Sequence, residues 1–506
     1  MKDFQFFKSE FSFDKILKSL KTKPASHWDR LGEDTALKLF NFTHKNVPAY
    51  RKYLKKHKIN PNNIRTIKDF KKLPVTDRDI YLKANNFTDL IPSGNFGSIT
   101  TFSATSGSTG EPFYFPRAEE QDWQYRYVAE LFLKNQFGID NRKTTLGVIG
   151  FGFGIWIGGI FTYKNFNKIA KSGNNLSLVP VGPNIPLFIS VVKKFGHLFD
   201  QVILMGYPPF IKDVIDEGPD YGVRWKDYNL KILTSAEGYS EKFRDYLTEK
   251  ASIKNPFMDM TNIYGTVEIG TMAHETPLSI LIRKIAVNNK GVFCSLFPQA
   301  NRLPTFVQYH PYIVYFEEKD GEILASGHGS SIPLLRYRFP DMGGVIPFDI
   351  MVSKLKGEGI DIFKEAKKYK IADKIIKLPF VYVYERSDNA LILRGANIFP
   401  DEIKNSLHRK SLESHTTGKF TMIKKEDKNI NEYWEINVEL KKNVKAGKNL
   451  AAKIQKIIVS DLRSRNSEFN DQYQSAPKKV TPEIILWPYK DCKYFEPTGK
   501  QKWCMK

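Results

Sequence analysis

Cysteine is scarce in this chain of 506 residues, which has only Cys294, Cys492 and Cys504, the last two parted by eleven residues. No CxxC pair and no His/Cys cluster accompanies them to offer a metal site, and no disulfide framework is expected. A reducing cytoplasm fits this usage. Long apolar runs are also lacking. The uncharged stretch LGVIGFGFGIWIGGIF, 146–161, is sixteen residues and rich in glycine, short of the about 20 residues a membrane-spanning helix needs. It reads as a buried strand followed by a glycine-rich loop, and no membrane span is expected. The N-terminal MKDFQFFKSEFSFDKILKSL mixes both charges and lacks the apolar core of a signal peptide. There is no internal repeat and no low-complexity tract. Acidic residues are in deficit: 55 against 77 Lys and Arg, a net charge of +22. Such a balance suits polyanionic partners, among them nucleotides, RNA or anionic lipid. No arginine-rich block or RNA-binding aromatic motif accompanies the charge, which is spread along the chain, so no specific nucleic-acid partner is expected.

What is present describes a globular protein, with 41% apolar and 26% charged residues. The length allows two to four domains and a large core. WDRLGEDTALKLFNFTHKNVPAYRKYLKKHKI reads as two helices parted near Val47-Pro48. A helix is expected over 118–136, with acidic residues at its start. LSLVPV (176–181), QVILMG (201–206) and LKILTS (230–235) are short apolar runs between helical segments, expected as buried strands of an α/β sheet. GEILAS (321–326) and PLLRYR (333–338) read as later strands, the second ending before Asp341. Near the C-terminus EYWEINVEL (432–440) alternates Trp434, Ile436, Val438 and Leu440 with polar residues, the pattern of a half-buried strand. A helix over 449–462 and a strand in KVTPEIILW (479–487) complete a small α/β segment.

Five segments carry the chemical signal: SATSGSTGEP (103–112), YGTVEIG (264–270), PLLRYRFPD (333–341), YERSDNALILRGANIFPDEI (384–403) and PTGKQKW (497–503). The first packs Ser106, Gly107, Ser108, Thr109 and Gly110 into one loop, where glycines permit close backbone approach and hydroxyls and N–H groups offer donors to phosphate. It is not a Walker loop, since no Gly-Lys-Ser/Thr closes it.

In their order and spacing these segments resemble the adenylate-forming acyl/aryl-CoA ligase superfamily, and most of all the phenylacetate-CoA ligase-like proteins, from about Leu37 to the C-terminus. The resemblance implies an α/β fold: a large adenylation domain of mixed sheets and helices, 1–385, and a small mobile α/β lid domain, 386–506. It implies that a carboxylic acid attacks the α-phosphorus of ATP, giving an acyl-adenylate that passes to coenzyme A. The glycine loop would hold the leaving phosphates, Glu268 would hold Mg²⁺, Tyr264 would cover the adenine and Glu237 would lie at its edge. Asp341 would accept both ribose hydroxyls, Arg386 would contact ribose or phosphate, and Asp388 would be the hinge. Lys500, with Lys502 as its rival, would act at the α-phosphate during adenylation, and the acceptor thiol would enter near Gly395. Three departures stand against this pattern: Glu111 in place of Lys, Val267 in place of Ser/Thr, and Phe339-Pro340 in place of Thr-Gly. The connection 342–385 is long and lysine-rich. Delivery to an amine, hydroxyl or carrier protein stays open, as does a non-catalytic basic scaffold that keeps the fold. Phe151, Phe153 and Trp156 suit an aromatic or apolar acid, and core packing explains them equally well.

Overall fold

The computed structural model describes residues 13–105, 112–386, 390–491, 493–495 and 501–505. Ser106, Gly107, Ser108, Thr109, Gly110, Glu111, Asp388, Cys492 and Lys500 lie outside the described residues. The chain divides into two compact units. The first holds 1–103, 115–206 and 214–385, and the second holds 104–114, 207–213 and 386–506.

The first unit is built on one eleven-stranded sheet. Strands β1 (Ile99–Ala104) and β2 (Tyr114–Ala118) form a separate pair flanking the glycine-rich segment. The sheet takes β3 (Thr145–Ile149), β4 (Leu176–Pro180), β5 (Gln201–Gly206), β6 (Leu230–Ser235), β7 (Met260–Thr266), β8 (Gly270–His274), β9 (Thr305–Tyr309), β10 (Val314–Lys319), β11 (Glu322–Gly327), β12 (Leu334–Ile346) and β13 (Phe380–Arg386). Their order is β10-β11-β12-β13-β9-β8-β7-β6-β5-β3-β4. The stretch from β4 to β7 is parallel, and β8 runs antiparallel to both β7 and β9. Helices connect the parallel strands, which explains the near-continuous apolar runs of β3 and β5: every residue of both is buried.

Most sequence expectations hold here. The helices Ala25–Asn46 and Pro48–Lys56 part at Val47, where proline opens the second helix. The expected strand and glycine-rich loop of 146–161 are β3 and the turn before the helix Ile157–Lys171. The turn packs against Gly159 in the first turn of that helix, where an added Cβ would lie 2.4 Å from the Gly152 carbonyl oxygen. Two expectations need correcting. The run 176–181 is not a fully buried strand, because β4 closes one edge of the sheet and Ser177 and Pro180 face solvent. The 333–338 strand does not stop before Asp341. It runs on to Ile346 through Phe339-Pro340, and its pairing with β11 shifts register between Glu322 and Leu324, beside Pro340, which has no N–H to give. The lysine-rich connection 342–385 contains the helices Phe348–Gly357 and Ile362–Lys368. Their Phe348, Met351, Leu355, Ile362 and Ala366 join the same core as Phe306 and Phe380.

The second unit contains the hairpin β14 (Leu391–Leu393) and β15 (Ala396–Ile398). It also has a four-stranded sheet of β16 (Thr416–Glu426), β17 (Glu432–Leu440), β18 (Glu483–Trp487) and β19 (Cys504–Met505), in the order β18-β17-β16-β19. The helix Lys448–Arg465 buries Ile454, Ile458 and Leu462, as its periodicity predicts. β17 is not half-buried. Glu435, Asn437 and Glu439 are buried as well as Trp434, Ile436 and Val438. Its polar face is covered by the C-terminal segment: Asn437 Oδ1 accepts from Trp487 Nε1 at 2.6 Å. Glu439 accepts from Thr417 Oγ1 at 2.6 Å and from the Lys490 N–H at 2.8 Å.

Candidate functional site

Tyr264 and Asp341 lie 77 residues apart in sequence, on β7 and β12, two strands that are not neighbours in the sheet. The fold nonetheless brings them into direct contact, with the Tyr264 hydroxyl donating to Asp341 Oδ2 at 2.6 Å. Asp341 is buried and Tyr264 half-buried, and the tyrosine ring stacks on Phe316 with 6.4 Å between centroids. The phenol fixes one oxygen of the carboxylate, so the pair forms an oriented acceptor.

Glu268 stands in the turn between β7 and β8. That turn is anchored from below by Arg117, which follows the glycine-rich segment and is almost fully buried. Its Nη2 donates to the Val267 carbonyl, and the guanidinium lies 5.3 Å from the centre of the Phe161 ring. Burial pulls the Arg117 guanidinium down to about 10, opposed by the charges of Asp122 and Glu268. Tyr337, four residues before Asp341 on β12, also feels the Glu268 charge: burial lifts its hydroxyl well above the usual value, and Glu268 adds to the rise. The turn is tightly held from the far side as well, since a Cβ on Gly329 would lie 1.7 Å from the Ile269 carbonyl oxygen. Val267 lacks the expected hydroxyl, but its main chain is anchored by a cation.

Glu237 is buried in the loop after β6, and its carbonyl accepts from Asn262 Nδ2 at 3.1 Å, which links it to β7 two residues before Tyr264. Glu237, Tyr264, Glu268 and Asp341 therefore all lie in the first unit, Glu237 in the loop after β6, Tyr264 near the end of β7, Glu268 in the turn after it and Asp341 in the middle of β12. Among the described residues no group of three or more His, Cys, Asp or Glu could hold a metal. A lone Glu268 still suits Mg²⁺, which takes one or two carboxylates and fills its other positions with water and phosphate oxygens.

Among the described residues, Arg386, Gly395 and Lys502 belong to the second unit, where the Lys502 carbonyl accepts from Thr421 Oγ1 at 2.8 Å. Arg386 ends β13, and its charge acts on Glu468, whose carboxyl burial raises and which accepts from the Asn397 N–H at 3.0 Å. Gly395 occupies a two-residue hairpin turn between Leu393 and Ala396, with φ of 53° at Arg394 and 86° at Gly395. Positive φ at both central residues is the mirror-image turn that suits the twist of a hairpin. Arg394 Nη2 donates to Asp213 Oδ2 at 2.6 Å, and Lys479 Nζ reaches Asp213 Oδ1 at 2.6 Å. Arg117, Asn262 and Arg394 were not among the residues expected from sequence. Arg117 carries a signal there as the first cation after the glycine-rich segment, and Arg394 as the residue before Gly395 in the 384–403 segment.

This architecture occurs in solved structures. The chain matches 2-hydroxyisobutyryl-CoA ligase in complex with 2-HIB-AMP and CoA with a TM-score of 0.65 at 13% identity, over 96% of this chain and 91% of that one. The same enzyme in its postadenylation state with 2-HIB-AMP matches with a TM-score of 0.55 at 13% identity, over 97% and 91%. The fold is that of the adenylate-forming CoA ligases. In sequence the chain is similar to phenylacetate-CoA ligases, as its motifs imply. It is 22% identical over 377 residues to that of Aromatoleum evansii, 71% of each chain. Identity to that of Pseudomonas putida is 20% over 380 residues, 72% of this chain and 71% of the relative. No protein-family model matches the chain.

Proposed function

We propose that this protein is an AMP-forming ligase that activates a carboxylic acid with Mg-ATP and transfers the acyl group from the adenylate to coenzyme A. The observation that carries the reading is the Tyr264–Asp341 hydrogen bond, because it joins two of the five motifs into one oriented acceptor of the kind a ribose diol needs. Both reactants of the first step are anionic, so the protein must supply donors and cations where charge develops. Asp341 accepts the ribose hydroxyls, Tyr264 fixes that carboxylate and presents its ring to the base, and Glu237 borders the base. Glu268 holds Mg²⁺, which neutralises phosphate charge when bound, and Arg117 keeps the Glu268 turn in place. The segment 106–110 takes the leaving phosphates. Lys500 acts at the α-phosphate and carboxylate, where a compact ammonium on a flexible stem suits a transient charge contact. Arg386 adds a cation, Asp388 is the hinge, and the thiol acceptor meets the second unit near Gly395. An aromatic or apolar acid is the proposed substrate class, in keeping with Phe151, Phe153 and Trp156 beside the glycine-rich turn after β3.

The test is a panel of aromatic and aliphatic carboxylic acids assayed for acid-dependent pyrophosphate release, with and without coenzyme A. Glu268→Gln should abolish release at unchanged melting temperature. Release that needs no acid, or wild-type turnover in that variant, would remove Glu268 from the site.

A further inference from the structure

A set of charged side chains that the proposed reaction does not use is sealed inside the first unit. Arg244, Glu275 and Arg283 are fully buried and Glu241 nearly so. Arg244 donates from Nε to Glu241 at 2.9 Å and from Nη2 to Glu275 at 2.5 Å. Arg283 lies 2.9 Å from Glu275 and 3.1 Å from Glu241. Lys284 adds a third cation, 3.7 Å from Glu241 and 2.5 Å from Asp245. Three cations thus face three carboxylates. Burial works against the Glu241 charge, yet Arg244 and Arg283 hold its carboxyl below the usual range. A buried ionic cluster is weak evidence for stability, because apolar residues of equal volume often serve as well. What it touches is more informative.

Its contacts converge on the loop 236–240. Arg283 Nη2 donates to the Tyr239 carbonyl at 2.5 Å, and Arg244 Nη1 donates to the Tyr239 hydroxyl at 3.1 Å. Glu275 Oε2 accepts the Asn262 N–H at 3.1 Å. The Asn262 side chain in turn donates to the Glu237 carbonyl at 3.1 Å and accepts from Thr234 Oγ1 at 3.0 Å. Two carbonyls of the loop are therefore gripped. The grip holds a shape the chain would not choose alone: Ala236 has φ of 79°, and a Cβ on Gly238 would lie 2.3 Å from Thr305 Oγ1. Asn262 is on β7, two residues before Tyr264, so one network sets Glu237 and Tyr264 relative to each other.

We propose that the Glu241–Arg244–Glu275–Arg283 cluster, acting through Asn262, is the positioning device of the base pocket, holding loop 236–240 in its binding shape before a nucleotide arrives. This rests on the adenylate-forming reading given above. Its contacts run to loop 236–240 and to Asn262 on β7, the elements assigned above to the base, so nucleoside recognition and phosphate recognition should separate on mutation. Titration calorimetry of the full chain with AMP, and separately with inorganic pyrophosphate, tests this alongside thermal melts. Asn262→Ala, which removes no charge, should weaken AMP binding by about tenfold or more while pyrophosphate affinity stays within about twofold. Arg283→Lys, which loses the fork to Tyr239 and Glu275, should follow the same pattern; if it does not fold, Asn262→Ala decides alone. AMP affinity equal to wild type in Asn262→Ala would overturn the inference. So would AMP and pyrophosphate affinities that fall together with the melting temperature. A wild-type chain that binds neither AMP nor pyrophosphate would refute the adenylate-forming reading itself, and the inference with it.

Discussion

Acid should act on the two units in opposite senses. In the first unit, His274, His310 and His328 are buried, and burial lowers all three: His274 and His328 to about 4, and His310 well below its usual value. A group with a depressed folded pKa contributes stability above its unfolded value, about 6.5 for histidine, and loses it as pH falls. Between pH 7 and pH 5 the unfolded imidazole takes up a proton that the folded one refuses, which costs the first unit about 2 kcal/mol for each of His274 and His328. In the second unit, burial lifts the Glu402 carboxyl to about 7. The sign reverses there: the folded acid binds a proton that the unfolded one, near 4.3, releases, so the same pH drop stabilises that unit by about 2 kcal/mol. Asp29, Glu130 and Glu317 of the first unit are also raised by burial and partly offset its histidines, so the decisive quantity is the difference between variant and wild type. His274→Asn keeps a donor for the Glu275 carbonyl, which His274 Nδ1 meets at 2.8 Å. It should remove about 2 kcal/mol of pH 7-to-5 dependence from the first unit. Glu402→Gln, which retains an acceptor for the Phe399 N–H, should remove a similar amount, about 2 kcal/mol, of opposite sign from the second. Hydrogen exchange read by mass spectrometry at both pH values, corrected for intrinsic rates, follows each unit separately. Equal slopes for His274→Asn and wild type, or shifts of the same sign in the two variants, would refute the argument.

Three further outcomes follow from the site. Tyr264→Phe removes the donor held by Asp341 and should raise KM for ATP about tenfold, with little change in KM for the acid, measured by pyrophosphate release. Gly329→Ala drives a Cβ into the Ile269 carbonyl and must displace the Glu268 turn. A destabilisation of about 2 kcal/mol or more by urea unfolding is expected, with loss of Mg-ATP turnover, and a wild-type urea midpoint would contradict the packing described. Lys500→Ala should cut adenylate formation by about a hundredfold or more while thioester formation from a supplied acyl-adenylate is spared. Equal damage to both half-reactions would redirect attention to Lys502.

The regular elements were legible because local pattern and burial agree in them. QVILMG and LKILTS are apolar since they lie inside a sheet covered on both faces, and Ile454, Ile458 and Leu462 repeat at helical spacing since one face is buried. Reading failed where the covering partner is distant in sequence. Glu435, Asn437 and Glu439 look like a solvent face until Trp487 and Lys490 are laid over them. The same holds for the site. Tyr264 and Asp341 could each be singled out by motif, but their contact is a property of the sheet. Asn262 carries no mark in the sequence, and Arg117 is marked only by its place after the glycine-rich segment: a buried arginine is rare enough that charge in a sequence reads as surface.

Eleven strands in one sheet leave only two margins, β10 and β4, among the described residues. A free margin offers unpaired N–H and C=O groups to any other extended chain, and a concentrated solution of such protein is prone to edge-to-edge aggregation. The two margins differ in their defence. β10 ends in Glu318-Lys319, two exposed charges that desolvate badly against an incoming strand. β4 is only five residues long and finishes at Pro180, which has no N–H to lend a neighbour. An expression or engineering campaign that replaces Pro180, or neutralises 318–319, would thus be expected to trade solubility for nothing gained in the core.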